Sequence, residues 1–338
     1  MTIQEATNQQ EWDEFLKAQQ YSPFLQSWTM GEVYRDVGEE PVRLEAREGN
    51  DLVGICQAVV VPAKRGKHLA IAYGPVLRGQ GSGVRGQTLD ALFKDLKTIA
   101  REHHCSFIRV SPFWPTSTPS PSGTKPSPLH LLAEHIWCID LQNKTEEEIL
   151  KNMRQNHRNL IRRAQREGVS VTASANPNEE IEEFFRLYEE TRKRHHFVPY
   201  PAEFIRSQVR HFSAQNACTL YLARYNNEVI ASSVHMHFGG ETSYHHGAST
   251  HKYPKIPASY LLQWTAITDA LKRGDHLYNF WGIAPEGVKK HPFRGVTTFK
   301  TGFGGELMEL MHCFDVPLKP PYYATRAFEL WRKWKRGF

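Results

Sequence analysis

The stretch Thr219-Leu220-Tyr221-Leu222-Ala223-Arg224-Tyr225-Asn226-Asn227-Glu228-Val229-Ile230-Ala231 decides the fold. Two runs rich in aromatic and aliphatic residues flank a pair of asparagines, which tolerate the left-handed backbone of a two-residue hairpin turn. The spacing predicts strands over 219–225 and 228–238, then a strand over 242–247, a helix over 259–273 and a strand over 276–280. Upstream, strand 169–173 and helices 178–194 and 202–212 complete the unit. The same hairpin, helix and strand order recurs at 41–61, 87–103 and 106–112. Two copies of one mixed α/β unit account for 338 residues, more than a single core usually serves.

Charge and cysteine usage narrow the class. The balance of 42 Lys+Arg against 36 Asp+Glu is mildly basic, but the cations cluster, which suits a polyanionic partner. Cys56, Cys105, Cys138, Cys218 and Cys313 are scattered without a CxxC, so a disulfide framework is not expected and a reducing compartment is. The N-terminus carries no basic and apolar leader, and no run of about 18 apolar residues occurs. These features predict a cytoplasmic protein. Pro115 to Pro128, with five prolines among Ser, Thr and Gly, reads as an exposed loop. At Thr145 the sequence Thr145-Glu146-Glu147-Glu148 has the form of a capping box and predicts one helix running to Glu167. The expected units are therefore 1–144, completed by the C-terminal segment 318–338, and 145–317.

Several constellations could carry chemistry. Arg154, His157, Arg158, Arg162, Arg163 and Arg166 share the helix after Thr145, either as a solvated face or as a phosphate-binding one. The run Thr191-Arg192-Lys193-Arg194-His195-His196-Phe197 closes another helix, where cations suit the dipole and an arginine could grip a diphosphate bidentately. Arg78-Gly79-Gln80-Gly81-Ser82-Gly83-Val84-Arg85-Gly86 fits the pyrophosphate loop of CoA-dependent N-acetyltransferases or, alternatively, a plain turn. His235, His237, His245 and His246 lack the companion carboxylate or cysteine of a convincing metal set, so no metal is expected. There is no GxSxG elbow, P-loop or HExxH. Near the C-terminus, Thr298-Phe299-Lys300-Thr301-Gly302-Phe303-Gly304-Gly305 sets a lysine between aromatic rings before a flexible glycine run. Such a lysine could face a developing anion, or could sit at a strand-turn-strand corner and reach solvent.

A resemblance ties these segments together. Phe24 to Trp28, Tyr73-Gly74-Pro75-Val76, Asn152 to Ala164, Thr191 to Phe197, Tyr244 to Ser249, Leu261 to Trp264, Tyr278 to Ile283 and Gly295 to Gly305 resemble, in collinear order, the FemABX family. Its members are the aminoacyltransferases that build peptidoglycan interpeptide bridges. The resemblance implies an α/β fold of two GNAT-like lobes, each a mixed sheet flanked by helices. It also implies an aminoacyl-tRNA donor and a UDP-MurNAc-pentapeptide or lipid II acceptor, with no cofactor. Residue by residue, Lys300 with Phe299 matches the catalytic pair and Arg194 the diphosphate-gripping arginine. Tyr244 and His246 would line the acceptor, with Tyr34 and Tyr73 as further binding positions. The family often has a lysine where Tyr34 stands and an acid where Arg78 stands. No long coiled-coil insertion interrupts the second lobe, so the chain is similar to the compact FemX-type members.

The expected chemistry is attack of an acceptor amine on the aminoacyl ester, with Lys300 neutralising the tetrahedral oxyanion. Arg154, Arg158, Arg162 and Arg163 would hold tRNA. Two other classes stay open: a CoA-dependent N-acyltransferase using 79–86, and a non-catalytic tRNA- or membrane-binding module. In the tail, Phe328, Trp331 and Trp334 form an i, i+3 stripe expected to pack on the first lobe, the alternative being a peripheral contact at the inner membrane face. A monomer is expected.

Overall fold

The computed structural model describes residues 1–63, 66–79, 86–195, 199–288 and 294–336. The chain begins with β1 (Thr2–Glu5), α1 (Gln9–Lys17), α2 (Trp28–Asp36), β2 (Pro41–Glu48), β3 (Asp51–Val61), β4 (His68–Ala72), β5 (Val76–Leu77), α3 (Gly86–Glu102), β6 (Phe107–Ser111) and β7 (Lys125–Pro126). There follow β8 (His135–Asp140), α4 (Glu146–Asn152), α5 (Gln155–Arg166), β9 (Ser170–Ala173), α6 (Pro177–His195), α7 (Ala202–Ser213), β10 (Cys218–Tyr225), β11 (Glu228–Phe238) and β12 (Glu241–Ser249). The chain closes with α8 (Ala258–Arg273), β13 (Leu277–Gly282), α9 (Arg294–Thr301), β14 (Glu306–Glu309), β15 (Phe314–Pro317) and α10 (Pro321–Arg336).

Two compact units result, Met1–Glu134 with Glu309–Phe338, and His135–Met308. The first sheet runs β1-β2-β3-β4-β6-β15-β7 and the second β14-β8-β13-β12-β11-β10-β9. In each, two antiparallel steps lead to a parallel pair, β4 with β6 and β12 with β13, bridged by the long helix α3 or α8. The repeat expected from the sequence is thus present in the topology. Its ends are exchanged: β8 follows the first unit's strands in sequence yet pairs with β13, while β15 follows the second unit's strands and pairs with β6. The cut therefore falls at 134/135 and 308/309, not at 144/145 and 317/318, because strand pairing at 135–140 and 314–317 is non-local and leaves no mark in local composition.

The Asn226-Asn227 turn has positive φ at both residues, as a tight hairpin requires. The capping box is formed too, with Thr145 accepting from Glu148 N–H and Glu148 reaching back to Thr145 N–H. Other local expectations need correction. The helix expected over 145–167 is two helices, because Met153 caps α4 and Arg154 sends its N–H to Gly302 O at 2.9 Å instead of continuing the ladder. The proline-rich stretch contributes β7 to the first sheet and buries Ser127 and Pro128, since its backbone pairs with β15.

The tail also differs. Helix α10 buries Tyr322 and Thr325, and Glu329 of the same face joins Arg109. Trp331 and Trp334 are 50% and 80% exposed, so the predicted stripe is not the packed one. Arg109 on β6 sets the angle: its guanidinium makes a fork with Asp315 on β15 at 2.8 and 3.0 Å and a second with Glu329 at 3.0 and 2.7 Å. Two carboxylates around a buried arginine hold the returning strand and the last helix in one place. Arg109→Ala leaves Asp315 buried without its partner and is expected to destabilise the first unit by about 3–5 kcal/mol, read by urea denaturation. A loss below about 1 kcal/mol would show that the clamp is replaceable.

Candidate active site

The parallel pairing of β12 with β13 covers only Glu241–Ser243 against Leu277–Asn279, although both strands continue. Beyond it the strands part. Trp281 adopts φ +66 and its N–H bonds Asn279 Oδ1 at 2.7 Å, turning the end of β13. The register of β13 against β8 is also irregular between Asn279 and Gly282. A parallel pair that opens in this way leaves backbone groups of both strands without ladder partners and makes a wedge in the sheet.

Lys300 fills it. Its Nζ donates to Gly282 O at 2.7 Å and lies 5.8 Å from the centre of the Tyr244 ring on β12. The residue is 7% exposed, and among the described residues no carboxylate neutralises it. Burial alone pushes the amine down to about 7. A lysine in this state can be a cation or a free amine at neutral pH, and both forms are chemically useful.

Lys300 is carried on a helix, which removes the alternative of a strand-turn-strand corner. Helix α9 holds Val296, Thr297 and Thr298, poor helix formers, and is fixed from outside. Thr297 Oγ1 accepts Ala284 N–H at 2.8 Å, and Phe299 O accepts His157 Nε2–H at 2.9 Å. That carbonyl sets the histidine tautomer. Phe299 packs edge-on against Tyr260 and Phe303, with ring centres 5.1 and 5.3 Å apart. The glycine run is a close-packed junction: Gly302 O takes Arg154 N–H, and Gly304 O takes Trp137 Nε1–H at 2.6 Å. A Cβ on Gly302 would stand 1.8 Å from His157 Cε1, and one on Gly305, where φ is +93, would stand 2.1 Å from Cys138 O. A cavity of about 510 Å³, lined by His135, Trp137, Ala284, Arg294, Thr297 and Leu307, opens on the flank of α9.

Tyr244 and His246 lie on the parted length of β12. Tyr244 stacks on His235, with ring centres 5.4 Å apart, and burial raises its hydroxyl to about 12. His246 is buried against Tyr188 and Tyr200, its Nε2 donates to Gln208 Oε1 at 3.2 Å, and burial lowers it to about 3. Arg194, at the end of α6, donates to Ser249 O and Oγ at 3.2 and 3.3 Å. Ser249 is five residues beyond Tyr244, about 16 Å along an extended strand. The second unit thus brings Lys300, Phe299, Tyr244, His246 and Arg194 to one strand and its neighbours.

The remaining expected residues are placed differently. Tyr34, on α2, and Tyr73 belong to the first unit. Tyr73 is 1% exposed, with its hydroxyl on Ala133 O at 2.8 Å and its ring edge-on to Phe113, a packing role in this conformation. Arg158 Nη1 donates to the carbonyls of Leu150, Lys151 and the cap residue Met153 at the end of α4, at 2.7 to 3.2 Å. Arg163 pairs with Glu167, while Arg154 and Arg162 are exposed. The histidines considered for a metal have protein partners instead: His235 Nε2–H donates to Tyr278 OH at 2.9 Å, and His237 bonds Thr242 and Thr219. Residues 80–85 of the glycine-rich loop, and His196 and Phe197, lie outside the described residues.

His157, which the sequence places among the cations of α5, instead turns inward to Phe299 O. The signal was its phase: 157, 161 and 164 share the buried stripe of α5.

The FemAB family matches residues 7–127, 133–227 and 202–329. The aminoacyltransferase FemA of Staphylococcus epidermidis is 20% identical, aligned over 93% of this chain and 95% of its own length. FemA of Staphylococcus aureus is also 20% identical, over 92% and 96%. Among solved structures, FemX superposes with a TM-score of 0.82 at 18% identity over 96% of this chain and 99% of its own. A tandem GNAT protein from the clavulanic acid pathway superposes at 0.53 and 12% identity over 83% and 84%. The fold is thus the expected pair of GNAT-like units.

The buried lysine makes stability depend on pH. Its folded value of about 7 is below the 10.5 of an exposed lysine, so the cost of burying the cation is present in full below pH 7 and fades as pH rises towards 10.5. Wild type should therefore gain stability relative to Lys300→Met between pH 6 and pH 9, with an upper bound of about 5 kcal/mol over the full range. Urea denaturation of both proteins at the two pH values checks this, and parallel pH curves would overturn it.

Proposed function

The chain belongs to the FemAB family, and from that premise we propose that it transfers an amino acid from aminoacyl-tRNA to an amine of a peptidoglycan precursor, either UDP-MurNAc-pentapeptide or lipid II. The observation that carries this reading is the buried Lys300, without a carboxylate partner among the described residues, standing in the wedge of the second sheet beside Tyr244. The acceptor nitrogen forms a bond to the ester carbonyl and the carbon–oxygen bond to ribose breaks. The proton lost by the amine ends on the departing ribose hydroxyl. Between these events the carbonyl oxygen carries a full negative charge, and a desolvated ammonium stabilises it more strongly than a solvated one could. Nζ makes one bond to Gly282 O and has further N–H groups for that oxyanion.

Arg194 supports an acceptor with a diphosphate. Its guanidinium is pre-oriented by Ser249, and a strand's length of about 16 Å separates that point from Tyr244, which suits an extended ligand with its phosphates distant from its reacting amine. The exposed Arg154 and Arg162 offer a face for the donor's phosphates.

Incubation with a mixture of charged tRNAs and UDP-MurNAc-pentapeptide, followed by mass analysis, should show one amino acid added. Lys300→Met should lower turnover at least about a hundredfold, on the order of 3 kcal/mol, with acceptor affinity little changed. Arg194→Ala should instead raise the acceptor KM, by roughly 2 kcal/mol in binding, and Arg194→Lys should recover only part of it. Product formed from acetyl-CoA without charged tRNA would overturn the reading.

The exposed aromatic residues and cations of α10 support a peripheral membrane contact as well. Leu330, Trp331 and Trp334 lie out of the core beside Arg332, Lys333 and Lys335. Liposomes containing anionic lipid should co-sediment the wild type at low salt. A Trp331→Ser/Trp334→Ser variant should bind measurably less, and equal binding would remove the tail from the proposal.

A further inference from the structure

We propose that His130, Glu134 and His312 of the first unit form a binding site for a divalent transition metal of the zinc type. The three are brought together by backbone pairing around β7 and β15. Ser127 N–H donates to Cys313 O at 2.8 Å, Leu310 N–H to Glu134 O at 2.8 Å, and Cys313 N–H to Glu134 Oε1 at 2.7 Å. The last bond fixes a carboxylate that is almost wholly buried. Its oxygens then face two imidazoles: Oε1 lies 3.0 Å from His130 Nδ1 and Oε2 lies 2.8 Å from His312 Nδ1. One ligand atom from each residue falls within 4.8 Å of the others.

The tautomer of His312 carries the inference. Its Nε2 is 2.9 Å from Ser127 O, and a carbonyl only accepts, so Nε2 bears the proton. A neutral ring then presents a lone pair from Nδ1 to a carboxylate that also offers only lone pairs. Two acceptors at 2.8 Å need a cation between them. That cation is either a second proton on the ring or a metal ion. A histidine that gives one N–H to a backbone carbonyl and turns its other nitrogen towards a carboxylate has the outer hydrogen bond that metal-bound imidazoles show. His130 completes the set: its side chain is 55% exposed and its Nδ1 stands 3.0 Å from Oε1 of the same carboxylate. Two nitrogens and one carboxylate oxygen, with an open side for water, are a ligand set that zinc accepts. Bound there, the ion would tie the 127–134 segment to the start of β15.

The test uses full-length untagged protein stripped with a chelator, with zinc sulfate and cobalt chloride as probes. Calorimetry should find one Zn²⁺ per chain, Co²⁺ should give visible d–d absorption that Zn²⁺ displaces, and melting temperature should rise with free Zn²⁺. Because the chain has 17 histidines, variants assign the site. His130→Ala, at an exposed side chain that should not disturb folding, and His312→Gln should each weaken binding at least about tenfold, the loss that even an outer-shell change produces. Circular dichroism checks that both variants are folded. Absence of Zn²⁺ binding below millimolar concentration would assign the His312 contact to a proton and overturn the proposal. Binding left unchanged in His130→Ala would place the metal on other histidines and overturn it equally.

Discussion

The constraint on which the second unit depends is that β12 and β13 stop pairing after Ser243 and Asn279. In the first unit the equivalent pair, β4 and β6, stays in register from His68 with Phe107 to Ala72 with Ser111. One topology is therefore closed in one copy and open in the other. Opening a parallel pair inside a sheet exposes carbonyls that must find donors. Gly282 O finds Lys300 Nζ. That a lysine satisfies it means that a charge-bearing group is held in low dielectric, at a cost that no carboxylate among the described residues offsets.

Holding Lys300 there dictates much of the surrounding chain. Helix α9 has little helical propensity of its own, so its place is set by Phe299 O on His157 and by Gly302 against the same ring. His157 can approach only if the 145–167 segment bends, and it bends where Arg154 gives its N–H to Gly302 O. Arg158 then caps the carbonyls that the break exposes. Nη1 of one basic residue of the run is thus placed on backbone carbonyls, while Arg154, Arg162 and Arg166 are exposed.

What was legible in the sequence was local. The Asn226-Asn227 hairpin, the Thr145 capping box and the long helix α8 are each specified by neighbours in the chain, and their predicted bounds agree with the observed ones to within a few residues. Helix α9 was not legible, because Val296, Thr297 and Thr298 argue for a strand and only tertiary bonds overrule them. The exchange of β8 and β15 was invisible for a related reason: which edge a short strand joins depends on partners far away in sequence. The site divides likewise. Lys300 stands beside Tyr244 in the second unit, whereas Tyr73 belongs to the first unit and has its hydroxyl on Ala133 O.

The tail shows the same logic in energetic form. From apolar spacing alone, Phe328, Trp331 and Trp334 should face inward, since each buries more area than any alternative. Glu329 decides otherwise. Arg109 is already buried on β6 with Asp315 on one side, and a second carboxylate completes its fork with both charges desolvated. Glu329 gives the remaining guanidinium N–H groups a partner, and a buried polar group left without one is costly. The helix therefore turns Tyr322, Thr325 and Glu329 to the sheet and leaves Trp331 and Trp334 with the cations outside, a rotation that depends on the position of Arg109 in three dimensions.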